Sequence, residues 1–477
     1  MPTLIFKARS LLMVRAVLAT LLLLSATSPC RAAEPQWAAL NAQALEYFRT
    51  YLKLDTSNPP GNTKDAIAYL KQILDKEGIE TATFESKPGM VSLVAWLPGP
   101  AGTKPLMLMS HADVVPARDV EWSHPPFSAD VAGGYVWARG AMDDKSHGIM
   151  MLMTMLALKR QNLPLRRGVT MMVNADEEAG GEFGARFMAE KHWGAIDSAF
   201  AINEGGSGTP GWLGSEGVTF KVAVAEKKVM WLRITAKGRA GHGSMPHDEN
   251  PNLILLHALG RLLAEPPPIR LTPVFIEAMK ELSARMPFPA SFELGHLGWP
   301  FMTRFALRGP LSQYPVQALM RNTISLTVLK SGFKVNVIPA IAQAEIDVRL
   351  LPEADAEAYL KRVKDKLADP RISIEFLQRP DDAPPSPTNG EAFEAIRKVV
   401  GESFPDAIVI PWMSSGGTDS RFLRARGVPA YGFEPIIVSP SDTARVHGVD
   451  ERLSIENLNR GIRATYKLTL ELCAAAN

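Results

Sequence analysis

Short apolar segments alternate with longer helical ones along the chain from Pro105 onward. Strand-like segments lie at 105–110, 168–174 and 198–203, and helical patterns lie at 145–161 and 183–191. This alternation is typical of proteins in which helices cover a parallel sheet. We therefore predict an α/β fold with a mostly parallel central sheet flanked by helices.

The sheet pattern is interrupted and then resumes near the C-terminus, with strand-like segments at 407–412 and 428–433 and a closing helix at 455–472. The intervening part has alternating strands at 229–238 and 341–352 beside helical patterns, as in an α+β unit. We predict a discontinuous sheet domain and an inserted α+β domain, with these bounds: 34–225 and 381–477 for the first, 226–380 for the second.

Residues 265–330 are rich in proline and bulky apolar residues, for example PPP at 266–268 and LGWPFM at 297–302. A flexible linker would be more polar. We hypothesise that this segment lines a pocket for an apolar acyl or side-chain group. Packing against the inserted domain, or burial in a dimer contact, are the alternatives.

The first 33 residues contain four basic residues, no acidic residue and an apolar run at 16–26 that is followed by small residues up to Ala33. We interpret them as a secretory signal peptide, cleaved near Ala32 or Ala33. A retained anchor is disfavoured because a spanning helix needs about 20 apolar residues, and a lipid on Cys30 is disfavoured by Pro29.

The cysteines are also informative about location. Only Cys30 and Cys473 are present, so the mature chain would have no intramolecular disulfide. We expect an exported protein, periplasmic or secreted, with no stable membrane span after cleavage. The charges nearly cancel, with 52 Lys and Arg against 50 Asp and Glu, so net charge does not indicate nucleic acid or an anionic membrane as a partner.

Histidine and acidic residues follow four of the strand-like segments, and ligands gather beyond the carboxyl ends of strands in open α/β sheets. Grouped carboxylates repel one another unless a cation lies among them. A set of nitrogen and oxygen ligands without cysteine favours a catalytic zinc, cobalt or manganese site. The residues are His111 with Asp113, Asp176 with Glu177 and Glu178, Glu204, and Asp143 with Asp144.

These motifs, from SHADVVP (110–116) to VHGVDERL (446–453), resemble those of the dinuclear zinc aminoacylase and carboxypeptidase family. That family includes carboxypeptidase S, bacterial glutamate carboxypeptidase and succinyl-diaminopimelate desuccinylase. The segment 110–145 is most similar to the carboxypeptidase S branch, which includes enzymes acting on N-fatty-acyl amino acids. The resemblance implies that residues 226–380 form a lid or dimerisation domain and that the protein is a homodimer.

The resemblance also implies a role for each metal-site residue. Asp143 would bridge two Zn²⁺ ions, for which Co²⁺ or Mn²⁺ could substitute, and the peptide bond after it would be cis. His111 and Glu204 would complete one metal site, and Glu178 and His447 the other. Glu177 would be the general base, and Asp113 would hold the His111 imidazole in the right tautomer.

Further residues are implied in binding the substrate. His242, in GRAGHGSMPH (238–247), would be delivered across a dimer interface to stabilise the oxyanion. The substrate contacts implied for the rest suit a free carboxylate, although Arg349 could instead form an ion pair within DVR (347–349). These contact residues are Asn336, Arg349, Gly416, Gly417 and Thr418.

From these residues we predict an enzyme that hydrolyses a peptide or N-acyl amide bond next to a free carboxylate. A carboxypeptidase is the favoured form. An N-acyl-amino-acid amidohydrolase or aminoacylase, which could also run toward amide synthesis, is the alternative. From other classes, a non-catalytic metal-binding relative and a periplasmic solute-binding protein remain open, but neither requires Glu177 beside a complete ligand set.

Overall fold

The computed structural model describes residues 34–118 and 121–475, so the signal peptide predicted at 1–33 lies outside the described residues. The strands, numbered along the chain, are β1 Glu80–Lys87, β2 Met90–Leu97, β3 Leu106–His111, β4 Asp130–Ala132, β5 Tyr135–Trp137, β6 Val169–Asn174, β7 Phe200–Asn203, β8 Gly208–Pro210, β9 Val218–Glu226, β10 Lys228–Lys237, β11 Gly241–His242, β12 Thr323–Ser331, β13 Val337–Ile338, β14 Ile341–Leu350, β15 Ile372–Gln378, β16 Ala407–Ser414, β17 Ala430–Gly432 and β18 Arg452–Ser454.

The α-helices are numbered in the same way. They are α1 Trp37–Leu52, α2 Lys64–Lys76, α3 Lys145–Gln161, α4 Ala185–Lys191, α5 Trp193–Ile196, α6 Pro251–Leu263, α7 Pro273–Ser283, α8 Ala290–Gly295, α9 Pro300–Ala306, α10 Tyr314–Ala318, α11 Ala356–Leu367, α12 Glu391–Ser403, α13 Ser420–Arg424, α14 Pro440–Thr443 and α15 Ile455–Cys473.

The central sheet of the described residues has nine strands, in the order β1-β2-β6-β3-β7-β17-β9-β16, with β8 beside β9. Strands β6, β3, β7 and β17 are parallel to one another, and β1 and β2 extend the sheet with antiparallel pairings. The predicted α/β class with a mostly parallel central sheet is confirmed. Strands β3, β6 and β7 are buried along their whole length, which explains their continuous apolar sequences.

Helix α3 lies between this sheet and the outer helices α1 and α15. Every residue from Lys145 to Leu158 is buried, so the helix has no polar face. Its methionines therefore fill the core, and the chain leaves the helix through Asn162 in a left-handed conformation.

The inserted region contains a second, antiparallel sheet in the order β12-β14-β10-β15. Burial alternates along β10 and β14, so one face is apolar and the other half-exposed. Helices α6 and α11 cover the apolar face and form with it a hydrophobic core distinct from that of the central sheet. Local sequence signals set the helix starts: Asn250 caps α6 before Pro251, and Asp355 caps α11.

Residues 226–380, predicted to form the inserted domain, contribute to two different hydrophobic cores. Helix α7 leaves the second sheet and packs against β9 and β16 of the central sheet. Buried side chains from Val274 to Met320 belong to the core of the central sheet rather than to the core under α6 and α11. The apolar segment predicted at 265–330 thus mostly covers an edge of the central sheet.

A single residue, Lys227, separates β9 of the central sheet from β10 of the second sheet. It is buried, and its Nζ donates to the Ala318 carbonyl at 3.1 Å and to Thr323 Oγ1 at 2.9 Å. The chain crosses between the two cores here, again before α7, again after α10, and finally after β15. Four connections therefore join the two parts.

The packing of α7 makes a stability prediction. Met279→Ala removes a side chain with no exposed surface, so we expect it to lower the free energy of unfolding by about 2–5 kcal/mol. Met245→Ala, at a position that is 66% exposed, is the matched control and should change it by less than about 0.5 kcal/mol. Denaturant titration measures both, and equal effects of the two substitutions would contradict the packing assigned to α7.

Candidate metal centre

Three neighbouring parallel strands bring their carboxyl ends to one edge of the central sheet. Strand β3 ends in His111, β6 is followed by the short 3-10 turn Glu177–Ala179, and β7 is followed by Glu204. Because β6, β3 and β7 are adjacent, the side chains that follow them meet at the same edge. The prediction that strand ends supply the site holds for these three strands.

The fourth predicted contributor, Asp143, has a different origin. It follows β5, which pairs with β4 and β18 in a separate three-stranded sheet and not with the central one. The Asp143–Asp144 peptide bond is cis. The expectation that all four strands share one rim is therefore wrong for Asp143, although its side chain reaches the same place.

A fully buried carboxylate, Glu451, fixes the turn that carries Asp143. It accepts hydrogen bonds from the backbone N–H groups of Gly140, Met142 and Asp143 at 3.2, 2.8 and 3.1 Å, and from Arg139 Nη1 at 2.7 Å. Sequence reasoning did not single out Glu451, although it lies within the quoted motif VHGVDERL.

The Asp143 carboxylate lies between two histidines. Its Oδ1 is 3.0 Å from His111 Nε2, and its Oδ2 is 3.0 Å from His447 Nε2. A glutamate completes each side: Glu204 Oε2 is 3.9 Å from His111 Nε2, and Glu178 Oε2 is 3.1 Å from His447 Nε2. The structure thus brings together the five residues that the resemblance assigns to two metals, in the same two groups.

The chemistry of this cluster fits metal ions. Donor atoms of His111, Asp143 and Glu178 lie within 4.8 Å of one another, and so do those of His111, Glu177 and Glu204. The buried Oε1 of Glu178 has no hydrogen-bond partner among the described residues. Imidazole nitrogen with carboxylate oxygen is a donor set typical of catalytic zinc and related transition metals.

Without bound cations, the buried carboxylates of this cluster are unfavourable in their ionised forms. Burial raises the pKa of Glu177 and of Glu204 well above the ordinary range, and it raises that of Glu178 as well. Hydrogen bonds to Asp143 and Glu178 raise the pKa of His447 to about 10. Several carboxylates thus share a small interior volume with two imidazoles, and bound cations would favour their ionised forms.

Asp113 makes contacts beyond the His111 imidazole. Its carboxylate accepts from the backbone N–H groups of Glu177 and Glu178, both at 3.1 Å, and from Asn58 Nδ2 at 2.8 Å. It is 3.6 Å from His111 Nδ1, which lies only 2.9 Å from the Asp113 backbone carbonyl. The backbone carbonyl and the carboxylate of Asp113 therefore both face His111 Nδ1, and the carboxylate in addition shapes the Glu177–Glu178 turn.

His242 and Asn336 lie on the inserted region, away from this cluster. His242 is exposed on β11, its Nδ1 accepts from Ser244, and the N–H of Gly243 donates to the Asn336 carbonyl at 2.9 Å. Within the parts of the chain that the structure describes, neither side chain forms a hydrogen bond or ion pair with the five clustered residues. The structure of one chain does not bring them into the site.

The remaining predicted contact residues are partly engaged elsewhere. Arg349 forms a bidentate ion pair with Asp347, at 2.8 and 3.1 Å, which is the structural alternative raised for it. Thr418 donates its N–H and its hydroxyl to buried Glu226 at 2.6 and 2.8 Å. The Gly416 N–H donates to Ser414 Oγ at 3.2 Å. Only Gly417, of these four, keeps a backbone N–H without an acceptor among the described residues.

A cavity of about 440 Å³ opens beside the cluster. Asp143 and Glu204 line one part of it, and Lys221, Trp412 and Ser415 line another. None of its lining residues lies in 265–330, so the segment hypothesised to line an acyl pocket contributes nothing to this cavity.

Comparison with known proteins decides the family. The model described as peptidase family M20/M25/M40 matches residues 107–471. The chain belongs to this family. It is accordingly a metal-dependent hydrolytic enzyme, as predicted.

Similar proteins of the M20/M25/M40 family include both predicted types of hydrolase. The human N-fatty-acyl-amino acid synthase/hydrolase is 33% identical over 377 residues, covering 76% of this chain and 73% of that protein. The probable carboxypeptidase S-like 2 of Dictyostelium discoideum is 31% identical over 383 residues, covering 76% and 71%. The M20 family metallo-carboxypeptidase of Sulfolobus solfataricus shares the fold, with a TM-score of 0.68 and 18% identity over 90% of this chain and 98% of that one.

The shared position of Asp143 predicts that metal binding depends on it. Asp143→Asn should weaken binding of Zn²⁺ at least about 100-fold, because the carboxylate shared by both halves of the cluster loses its charge and one of its two ligand oxygens. Competition with a chromophoric chelator measures the affinity. Asp130→Asn is the matched control, since Asp130 also faces a histidine, with Oδ2 3.2 Å from His124 Nδ1, but lies outside the cluster. Unchanged affinity in the Asp143 variant would refute the assignment.

Proposed function

We propose that the protein is a dinuclear zinc hydrolase that cleaves the amide bond between an acyl group and an amino acid with a free carboxylate. The observation that carries the proposal is the placement of Asp143, with one carboxylate oxygen 3.0 Å from each histidine. His111 and Glu204 would hold one Zn²⁺, and Glu178 and His447 the other. The mixed nitrogen and oxygen donor set supports zinc, with Co²⁺ or Mn²⁺ as substitutes.

In the mechanism that we propose, bound metal ions would supply Lewis acidity and lower the pKa of the attacking water. Glu177 takes the proton of the attacking water and then delivers it to the leaving amine nitrogen. Burial favours the proton on Glu177 once it has been taken, since it raises the pKa of that carboxyl group. Asp113 keeps Glu177 in place through the backbone N–H that it accepts.

The free carboxylate of the substrate would lie toward the inserted region and the 414–418 loop. We assign its binding to Asn336 and the backbone N–H of Gly417, with Gly416 permitting close approach. Arg349 would contribute only after exchanging its Asp347 partner for the substrate, and Thr418 only after leaving Glu226. His242 of a second protomer would donate a hydrogen bond to the oxyanion.

The substrate group on the carbonyl side of the scissile bond would lie in the cavity. There the lining favours an acyl chain over a residue with a free α-amine. The Lys221 ammonium lines it, 5.6 and 5.9 Å from the ring centroids of Trp212 and Trp412, and forms no ion pair among the described residues. Burial lowers the pKa of Lys221 and so favours its neutral form, and an uncharged lining suits an N-acyl group better than a peptide's ammonium. The similarity to the human N-fatty-acyl-amino acid enzyme supports the same choice.

A peptide carboxypeptidase is the second candidate. Glu434 also lines the cavity, and its carboxylate, which accepts from the Gly205 N–H at 3.0 Å, could attract an α-ammonium. Similarity to the carboxypeptidase S-like relative supports this alternative.

We further propose a homodimer that forms through the inserted region. Strand β12 is an edge of the second sheet, and an unpaired edge invites pairing with another chain. Beside it, an apolar groove of about 530 Å³ runs between β12 and α6, with Leu256 and Leu329 exposed along it. Pairing of two copies here would bury these leucines, and the family resemblance implies that His242 of each copy then serves the other's metal centre.

Export also remains a proposal, supported by the signal-like sequence of residues 1–33. None of the described helices is both long and apolar enough to cross a membrane.

Glu177→Gln should lower kcat by about 10²–10⁴-fold while metal content stays unchanged, because the variant keeps the size of the side chain and loses its basicity. Turnover by the zinc-loaded protein is measured on a matched panel of N-acyl amino acids and dipeptides that share the same C-terminal residue. We expect the N-acyl members to show the higher kcat/KM.

Glu182→Gln, at an exposed position that pairs with Arg186, is the control and should keep parental activity. Higher kcat/KM on the dipeptides would establish the carboxypeptidase instead. Full activity of the Glu177 variant would rule out the proposed mechanism.

Delivery of His242 across a dimer predicts complementation. His242→Ala and Glu177→Gln homodimers should both be inactive, whereas a purified hybrid dimer of the two should keep about half of the parental activity, since one of its two sites is complete. Two different affinity tags isolate the hybrid, and light scattering verifies its mass. An inactive hybrid would place His242 in the site of its own chain, and a monomeric protein would exclude the dimer.

A further inference from the structure

Six large aromatic side chains point outward between α7 and α10. They are between 45% and 83% exposed, although aromatic residues are commonly buried. We name them the aromatic patch: Phe288, Phe292, Trp299, Phe301, Phe305 and Tyr314.

Part of the patch is continuous through ring contacts. The ring centroids of Phe292 and His296 are 4.2 Å apart, those of His296 and Trp299 4.7 Å, and those of Trp299 and Phe301 5.8 Å. Phe301 and Phe305 are four residues apart on α9, so they share a face of that helix. A contiguous exposed apolar surface of this kind marks an interaction site.

The fold does not need these exposed side chains. The same two short helices are anchored by Leu294, Leu297, Met302 and Ala306, which are buried. The opposite sides of α8 and α9 therefore already supply the contacts that hold the segment in place. The outward aromatic rings are left for another partner.

The charges around the patch are mostly positive. Residues 284–318 contain Arg285, Arg304 and Arg308 but a single acidic residue, Glu293. Arg304 and Arg308 are exposed, and neither forms an ion pair with any described residue. Their charges therefore remain available to an anionic partner.

We propose that the aromatic patch docks the protein on an anionic lipid surface. Phenylalanine and tryptophan rings enter the boundary between headgroups and acyl chains, while arginines beside them bind anionic headgroups. A second copy of the chain is a poorer occupant, because a two-fold contact through this surface would bring like arginine charges together. The short helices α8 and α9 allow only shallow, peripheral attachment.

Vesicle co-sedimentation tests the proposal on the full mature protein. The parent protein should bind vesicles of phosphatidylglycerol and phosphatidylcholine at low salt, and its tryptophan emission should shift to shorter wavelength, less so in a Trp299→Phe variant. The double variant Phe301→Ser with Phe305→Ser should bind at least about tenfold more weakly at every salt concentration. Arg304→Glu with Arg308→Glu should weaken binding similarly at low salt and less at high salt.

Matched controls come from exposed positions elsewhere. Leu377→Ser should keep parental binding, and so should the double variant Lys64→Glu with Arg362→Glu, which alters net charge by the same amount as the arginine pair. The assay requires no turnover, so it is independent of the proposed hydrolase activity.

Three outcomes would overturn the proposal. One is failure of the parent protein to bind anionic vesicles, and another is equal binding by all variants. The third is a fall in molecular mass, measured by light scattering, when Phe301 and Phe305 are replaced, because a second copy would then be the occupant.

Discussion

Concentrated negative charge in a buried volume dictates how the metal centre is built. Carboxylates from three different chain segments meet there, and burial disfavours the ionised forms of Glu177, Glu178 and Glu204. Two imidazoles and the proposed cations offset this repulsion, and Asp143 is shared by both halves. Each carboxylate must therefore be held by the backbone around it, and buried Asp113 and Glu451 supply that support by accepting several N–H groups each.

The sequence predicts best those site residues that directly follow strands of the central sheet. His111, Glu178 and Glu204 follow strands that are adjacent in the sheet, so strand ends alone predict their meeting. The position of Asp143 depends on a separate small sheet and on Glu451, more than 300 residues further along the chain, and no local pattern encodes such a contact. The role proposed for His242 requires a second molecule, and the sequence of one chain implies it only through resemblance.

The composition of the segment 265–330 did not indicate which of its apolar residues are buried and which are exposed. Its apolar composition predicted a substrate pocket, but the buried half covers an edge of the central sheet, and the exposed half forms the aromatic patch. The overall balance of charge gave no sign of the lipid surface that we propose as a partner, because the unpaired arginines near the patch are compensated by acidic residues elsewhere. Composition and net charge sum over all residues, whereas the fold places apolar and basic residues on particular surfaces.

The connections between the two cores bear on how a substrate enters. A body attached at one point can swing freely, and one attached at two points can turn about the line between them. Here the chain crosses between the cores four times, and one crossing is the single buried residue Lys227. The Lys227 side chain donates hydrogen bonds to Ala318 and Thr323, which lie at the two ends of another crossing. The four connections therefore restrict rotation of the inserted region relative to the central sheet more than one or two connections would.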